Sequence, residues 1–316
     1  MKVLLRLLLL PLLLAATGCD HRDLCYDHRH YVPVSLEFDW SEAPEAAPES
    51  MVVWFFPADG SQGVRYELFP GGGSTRSSFD AQIKVPPGVY RVLCHNGSTD
   101  NNIEEGATFD DYRLTTFDDG LLSPLNRSEG EGAPRPGLTA DEPVKAPSSE
   151  IWAHTFPKTV ALEKGETEAV RVRFVPRQAH ETWHIKITGV ENLTPDMEVS
   201  AIVTGVAESW SPAREGCSGA EVTVPFAMRH CGTDCLRADV TLFGDNAPHD
   251  VRHCLRLNTS CNYYYDFDIT DQVHAAAVGE HDIDITLSGL RLHNPGTGMS
   301  PGVSDWVDSE DQELKM

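Results

Sequence analysis

Residues 79–95 have the sequence FDAQIKVPPGVYRVLCH, and this stretch decides the fold class. Apolar and polar side chains alternate from Phe79 to Val85, Pro86-Pro87-Gly88 follows, and a second apolar run extends from Val89 to His95. Alternation with a period of two is typical of a half-buried β-strand, and Pro and Gly favour turns. The stretch therefore predicts a strand, a short turn and a second strand.

The same pattern continues on both sides of this stretch. Before it, alternation covers Tyr31 to Trp40 and Val64 to Leu68, and a continuous apolar run covers Met51 to Phe56. After it, strands are predicted over residues 112–115, 151–156, 158–162, 169–175, 182–189, 197–203, 220–228, 236–243, 251–257, 263–269 and 282–287. Gly165 is expected to join two of them as a hairpin, and residues 270–278 are expected to form a short helix. Closely spaced strands with turn residues between them predict an all-β fold of two tandem antiparallel β-sandwich domains.

Composition changes along the chain suggest the domain organisation. The expected order is a lipoprotein signal peptide (1–18), a tether (19–30), an N-terminal sandwich (31–177) with a long loop (96–150), a C-terminal sandwich (178–293) and an acidic tail (294–316). The loop is rich in Gly, Pro, Ser and acidic residues, and the boundary is placed at Pro176-Arg177-Gln178.

The N-terminus indicates export. Lys2 and Arg6 precede an almost unbroken leucine run over residues 7–14, and Ala15-Ala16-Thr17-Gly18 leads into Cys19. The apolar run is too short for a membrane-spanning helix and is typical of a signal peptide. A cysteine after small residues is the lipobox arrangement of bacterial lipoproteins, although leucine is more common than Ala16 at its position. We therefore expect Cys19 to be lipidated and to hold the mature chain on a membrane.

The net charge limits the possible partners. The chain carries a formal charge of −23, which repels nucleic acids and anionic lipid headgroups. We expect no nucleic-acid partner and no cofactor.

Seven cysteines remain besides Cys19, and the oxidising compartment permits disulfides. The candidates are Cys25 and Cys94 in the first half and Cys217, Cys231, Cys235, Cys254 and Cys261 in the second. The simplest arrangement is one N-terminal bridge, two C-terminal bridges and one free thiol, with the connectivity left open. The alternative is a zinc site formed by His230, Cys231, Cys235, His253, Cys254 and Cys261, but their spacing matches no standard zinc motif.

The sequence carries few signs of chemistry. It has no phosphate-binding loop, no nucleophile elbow and no HExxH motif, so we expect neither enzymatic activity nor a metal site. The paired acids Asp266/Asp268 and Asp282/Asp284 are best interpreted as the solvent-facing side of strands. Three weaker hypotheses are calcium binding at residues 100–105, metal binding by the histidines after the anchor (His21, His28 and His30), and sugar stacking on Trp210, Tyr263, Tyr264 and Tyr265.

Several segments resemble a known family. They are CDHRDLCYDH (19–28), VPPGVYRVLCHN (85–96), RVRFVPR (171–177) and the acidic, Trp-containing C-terminus. They resemble a family of uncharacterised lipoproteins, a domain of unknown function, of Bacteroides-type bacteria. That family is similar to the FimB/Mfa-type anchor and accessory subunits of fimbriae.

The resemblance implies two transthyretin-like, Greek-key β-sandwich domains on a lipoprotein of the outer membrane, facing the cell surface. It implies a role in fimbria anchoring, assembly or adhesion through β-strand contacts with other subunits, and it brings no catalytic residues. The alternative function is a carbohydrate-binding surface lipoprotein of a glycan-uptake system, for which the aromatic residues above are the candidates.

Overall fold

The computed structural model describes residues 30–70, 79–97, 99–120, 122, 142–165, 168–245, 251–261, 263–277 and 279–293. In these ranges the chain is almost entirely β-structure, which confirms the all-β prediction. The strands of the first half are β1 (Val32–Phe38), β2 (Ser50–Pro57), β3 (Val64–Leu68), β4 (Ala81–Val85), β5 (Gly88–Gly97), β6 (Asn102–Glu105), β7 (Arg113–Thr116), β8 (Trp152–Thr155), β9 (Val160–Leu162), β10 (Val170–Phe174) and β11 (Arg177–Gln178). The second half contains β12 (Glu181–Thr188), β13 (Val199–Ser211), β14 (Gly216–Ala227), β15 (Arg229–His230), β16 (Cys235–Leu242), β17 (Cys254–Thr259), β18 (Tyr264–Asp268), helix α1 (Thr270–His274) and β19 (Asp282–Ser288).

The first sandwich packs a three-stranded sheet against a larger one. The small sheet has the order β10-β1-β4, and the large one has the order β11-β8-β5-β2-β3, with β9 also paired to β5. The alternation in β1 directs Val32, Val34, Leu36 and Phe38 inward, where all four are buried. They pack with apolar residues of β2, β5, β9 and β10 in one core.

The second sandwich repeats this arrangement. One sheet has the order β15-β16-β12-β19, and the other has the order β18-β17-β13-β7-β6, with β14 paired to β13. Its core is built from residues between Trp183 and Leu292. The fully buried Trp183 is the largest side chain of this core.

One predicted connection is wrong, and the predicted turn at Pro86-Pro87-Gly88 joins strands of different sheets. The hairpin expected at Gly165 is wrong, because β9 pairs with β5 in one sheet and β10 pairs with β1 in the other. The turn at Pro86-Pro87-Gly88 also passes from one sheet to the other, since β4 pairs with β1 and β5 pairs with β2. Short turns therefore carry the chain across the sandwich, and the two flanking strands contribute to opposite faces of one core.

The segment expected to be a loop over residues 96–150 contains a β-hairpin. Strands β6 and β7 pair with each other, and β7 pairs with β13 of the second sandwich through Ser209 and Trp210. The strand expected near Tyr112 to Thr115 corresponds to β7, whereas β6 was missed. Further along, the backbone of Lys145 and Ser148 donates hydrogen bonds to carbonyls of β14 and β16. The excursion is thus integrated into the second sandwich on both sides of residues 123–141, which lie outside the described ranges.

A third apolar cluster connects the two sandwiches. It joins Phe56 and Leu93 of the first sandwich to Tyr112 of the excursion and to Trp210 and Phe243 of the second sandwich. The predicted boundary at residue 177 lies between the two main cores, and the division into two domains stays a prediction. The predicted signal peptide, nearly all of the tether and the acidic tail lie outside the described residues.

Candidate functional site

Strand β1 is the element that the sequence places closest to the expected anchor. It lies in the middle of its sheet, parallel to β10 with Val34 opposite Val170, and antiparallel to β4 with Val34 opposite Ile83. Arg173 on β10 donates to Asp39 just after β1, at 2.7 Å. Both edges of β1 are thus hydrogen-bonded, and a pull on its N-terminal end would be resisted by two strands at once.

Sheet edges are the natural places for strand-mediated contacts. In the described ranges, β3 pairs on one side with β2 and ends the order of its sheet. Its half-buried Val64, Tyr66 and Leu68 are followed by Phe69, whose side chain is 65 % exposed. A partner strand added here would extend a sheet of the first sandwich and cover an apolar side chain.

A polar network joins this edge to the excursion. Glu104 on β6 accepts hydrogen bonds from the indole of Trp54 at 2.8 Å, from Arg65 on β3 at 2.9 Å and from the hydroxyl of Tyr112 at 3.0 Å. Burial raises the pKa of the Glu104 carboxyl. The hydrogen bonds from Arg65 and Trp54 and the nearby charges lower this pKa by a larger amount, so the net shift is downward. Sequence reasoning missed this network, because its members lie far apart in the chain and show no local pattern.

A cleft lies at the junction of the two sandwiches. It has a volume of about 450 Å³ and is lined by residues of β8, β11 and β13 together with His180, Glu181 and His281. The Nδ1 atom of His180 accepts a hydrogen bond from the backbone of Ile151 at 2.8 Å. Burial lowers the pKa of His180 and raises that of Glu181, because it disfavours the charged form of each group.

The residues proposed for glycan stacking do not form a platform. Trp210 is 6 % exposed in the cluster between the sandwiches, and Tyr264 is 8 % exposed beneath the guanidinium of Arg256. Tyr263 stacks on His293 with ring centroids 4.0 Å apart, and the hydroxyl of Tyr265 accepts from the backbone of His293. Trp210 and Tyr264 are therefore corrected to packing residues, since neither offers an open ring face to a sugar.

The cysteines also differ from the simplest expectation. Cys231 and Cys235 form a disulfide with Cα atoms 5.1 Å apart. Free thiols remain at Cys94, Cys217, Cys254 and Cys261, so the structure contains one of the two expected C-terminal bridges. Cys94 lies fully buried in the first core, where burial raises the pKa of its thiol. Cys19 and Cys25 lie outside the described residues, and the lipidation of Cys19 stays a prediction. The expected N-terminal bridge between Cys25 and Cys94 is wrong, because Cys94 is a free thiol.

The metal sites considered from the sequence are not supported by the contacts. Of the zinc set, Cys231 and Cys235 are bonded to each other, and the Nε2 atom of His230 lies 2.9 Å from the carbonyl of Met197. Of the calcium set, Glu104 binds Arg65, and the side chain of Asn102 exchanges hydrogen bonds with Ser149. His21 and His28 lie outside the described residues.

The paired acids fit the prediction of solvent-facing strand positions. Asp266 binds Arg256 through both oxygens, and Asp268 binds Arg252 at 2.9 Å. Asp282 lies 3.4 Å from His184, at an exposed position. In the part of the chain that the structure describes, no helix combines the length and the apolar character needed to cross a membrane.

The sequence matches a known family and one named relative. A family model described as a domain of unknown function (DUF5119) matches residues 18–227. A protein of Bacteroides ovatus, whose name proposes it as the fimbrium anchoring subunit Fim4B, is 35 % identical over 100 residues. This match covers 30 % of the chain and 26 % of the relative, so the chain matches about a quarter of that protein's length.

Solved structures share the fold. A proposed adhesin of Bacteroides ovatus superposes with a TM-score of 0.64 at 17 % identity, covering 89 % of this chain and 99 % of the other. The fimbrial anchor protein Mfa2 of Porphyromonas gingivalis gives a TM-score of 0.51 at 12 % identity, covering 82 % and 90 %. A protein of Bacteroides thetaiotaomicron described as a proposed polysaccharide-binding protein gives 0.53 at 10 % identity, covering 82 % and 91 %.

Proposed function

The chain belongs to the DUF5119 family of domains of unknown function, and on that premise we propose that it is a fimbrial anchor or accessory subunit of the cell surface. The proposal includes a lipid anchor at Cys19, an outer-membrane location and a non-enzymatic role. The similarity to a protein named as a fimbrium anchoring subunit and to the Mfa2 fold supports it.

The position of β1 is the observation that carries the proposal. The strand begins at Val32, a short distance after Cys19, and it is buried between two strands of its own sandwich. A subunit at the base of a filament needs a load-bearing connection between its lipid and its fold. A central strand provides that connection, because pulling it out would break two rows of hydrogen bonds and expose four core side chains.

The other subunits would bind at sheet edges by strand addition, a mode in which backbone hydrogen bonds supply affinity. The edge of β3 with the neighbouring Phe69 is the candidate for this contact. The glycan-binding alternative is weakened because two of its candidate residues, Trp210 and Tyr264, are buried. Detection of the protein on the cell surface without any association with filaments would favour this alternative.

The first experiment tests the anchor. Replacing Cys19→Ser should abolish labelling of the protein by radioactive palmitate and move it from the membrane fraction to the soluble exported fraction. Cys25→Ser is the matched control, since it removes a thiol six residues further along and should leave both properties unchanged. Unchanged labelling and fractionation of the Cys19 variant would refute the lipid anchor.

A second experiment tests the fimbrial role. An epitope tag inserted after residue 130 should be found by immuno-electron microscopy at the base or along the length of filaments on intact cells. The substitution Phe69→Asp should reduce the number of labelled filaments. Phe117→Asp changes another exposed phenylalanine, beside the second sandwich, and should leave the count unchanged. Surface label with no filaments would favour the glycan-binding alternative.

A further inference from the structure

Three segments of the second sandwich bring metal-ligating side chains together. Asp245 follows β16, His253 immediately precedes β17, and His274 ends helix α1. One carboxylate oxygen and one imidazole nitrogen from each histidine lie within 4.8 Å of one another. The Nε2 atom of His253 is 3.5 Å from Oδ1 of Asp245, and the Nε2 atom of His274 is 3.5 Å from Oδ2.

The spacing suits ligands that share a metal ion. A direct N–H···O hydrogen bond places its heavy atoms about 2.7–3.2 Å apart. Zinc binds His nitrogen and carboxylate oxygen at about 2.0–2.2 Å, and two ligands of a tetrahedron with such bonds are about 3.4 Å apart. Each separation of 3.5 Å, one to either oxygen of Asp245, is longer than a hydrogen bond and close to the distance between two ligands of one zinc ion.

The orientation of His253 supports the same conclusion. Its Nδ1 atom lies 3.2 Å from the carbonyl oxygen of Thr204, which can only accept, so Nδ1 carries the proton. In the neutral ring Nε2 then presents a lone pair towards Asp245. The His253 side chain is fully buried, and its Nε2 has no hydrogen-bond partner in the described part of the chain. A metal-ligating histidine typically donates its other ring N–H to a backbone carbonyl in this way.

The cluster has largely buried surroundings that contain two further carboxyl groups. The carboxyl groups of Glu142 and Glu181 are largely buried and close enough to His253 to interact with it electrostatically. The side chain of Asp245 is 4 % exposed and that of His274 is 22 % exposed, so His274 is the member of the cluster nearest to solvent. Oδ1 of Asp245 and the Nε2 atoms of both histidines are buried, so the interior of the cluster is dry.

We propose that Asp245, His253 and His274 form a zinc-binding site that has not been assigned to this protein. Two neutral imidazoles and a carboxylate are borderline nitrogen and oxygen donors that suit zinc, and water would complete the tetrahedron. The bound ion would tie the connection between β16 and β17 to helix α1. The inference does not depend on the fimbrial proposal.

The test measures zinc binding to the full mature chain, stripped of metal, by isothermal titration calorimetry with zinc chloride. We expect one zinc ion per chain and an increase in melting temperature on its addition. His274→Gln should weaken binding at least about 100-fold, because it removes one ligand. It is preferred over a His253 variant since His274 is partly exposed and its loss should leave the fold intact. Circular dichroism in the presence of EDTA verifies the fold.

Two variants serve as matched controls. His184→Gln removes a histidine that also contacts two aspartates, Asp239 and Asp282, on the exposed face of the same sandwich. Cys254→Ser removes the thiol next to His253 in the chain. Both variants should bind zinc as the wild type does. The proposal is overturned if the wild type binds no zinc or if folded His274→Gln binds as tightly as the wild type.

Discussion

The two sandwiches share one topology but differ in how they are completed. In each, the first strand lies between a late strand, which runs parallel to it, and an antiparallel strand: β1 between β10 and β4, and β12 between β19 and β16. The main core of the first sandwich uses residues from Val32 to Phe174 alone. The second sandwich takes β6 and β7 from the excursion of the first and carries the disulfide and the Asp245–His253–His274 cluster.

This difference shows how one architecture can be stabilised in two ways. The first sandwich depends on apolar packing around a strand that continues towards the anchor. The second adds two elements from outside its own strand set, namely the hairpin of β6 and β7 and the segment after residue 142, and it also has a disulfide between β15 and β16. The following predictions test this contrast, from the largest expected effect to the smallest.

The largest effect is expected at the central strand of the first sandwich. Leu36→Asp places an unpaired carboxylate among fully buried side chains and should lower the free energy of unfolding by more than about 4 kcal/mol. Ser35→Asp is the matched control on the other face of β1 and should change the free energy of unfolding by about 0.5 kcal/mol or less. Urea denaturation followed by circular dichroism measures both. Equal midpoints for the two variants would contradict the central role of β1.

The next effect concerns the network that joins the first sandwich to the excursion. Glu104→Gln removes the charge that Arg65, Trp54 and Tyr112 share, and should lower the free energy of unfolding by about 2 kcal/mol. Glu105→Gln breaks an exposed pair with Arg113 on the same hairpin and should cost about 0.5 kcal/mol. A similar loss in both variants would show that the buried network adds nothing beyond a surface ion pair.

The Glu104 variant should also show a distinct pH dependence. Because the pKa of Glu104 is lowered in the folded chain, its stabilisation is present above the unfolded value of about 4.3 and is lost as the pH falls through the folded value. The stability difference between wild type and Glu104→Gln should therefore shrink between about pH 5 and pH 3. A difference that stays constant over this range would contradict the assigned protonation state.

A comparable effect is expected from the disulfide of the second sandwich. The double replacement of Cys231 and Cys235 by serine should lower the free energy of unfolding by about 2 kcal/mol, since the bridge closes a short loop. Cys261→Ser removes a free thiol of the same sandwich and should have little effect. A reducing agent should destabilise the wild type but not the double variant. Equal sensitivity of both proteins to reduction would indicate that another bridge contributes.

The smallest effect contrasts the histidines of the two sandwiches. Burial lowers the pKa of His95 and His154 in the first, so their contribution to stability falls as the pH drops below the unfolded value of about 6.5. A hydrogen bond to Asp239 raises the pKa of the exposed His184 in the second sandwich. Its contribution is complete below about pH 6.5 and is lost as the pH rises through the folded value.

The substitution His184→Gln isolates the second of these contributions. The difference in stability from the wild type should be about 0.5 kcal/mol near pH 5.5 and should vanish near pH 8.5, as measured by urea denaturation. A stability difference that grows with pH would contradict the raised pKa of His184. The wild type itself should lose part of its stability between about pH 7 and pH 5, because burial lowers the pKa of His95 and His154 in the folded state.

The amino-acid pattern alone predicted most of the segments that form strands, with β6, β11 and β15 as the exceptions. The alternation in Val32–Phe38, the apolar run in Ser50–Pro57 and the alternation in Asp282–Ser288 each correspond to a strand of the structure. Such patterns can be recognised locally because the two faces of a strand differ in burial at every second residue. The resemblance of several segments to a family was likewise visible in the sequence, and the family match confirms it.

Tertiary structure alone decided which strands pair and which side chains meet. The segments on either side of Gly165 have the pattern of a hairpin, yet β9 and β10 join opposite sheets, because pairing depends on partners far away in the chain. For the same reason, sequence analysis could not predict the Glu104 network or the cluster of Asp245, His253 and His274, because their members lie far apart in the chain. Local sequence carries the period of a strand, whereas contacts between distant residues arise only when the whole core is packed.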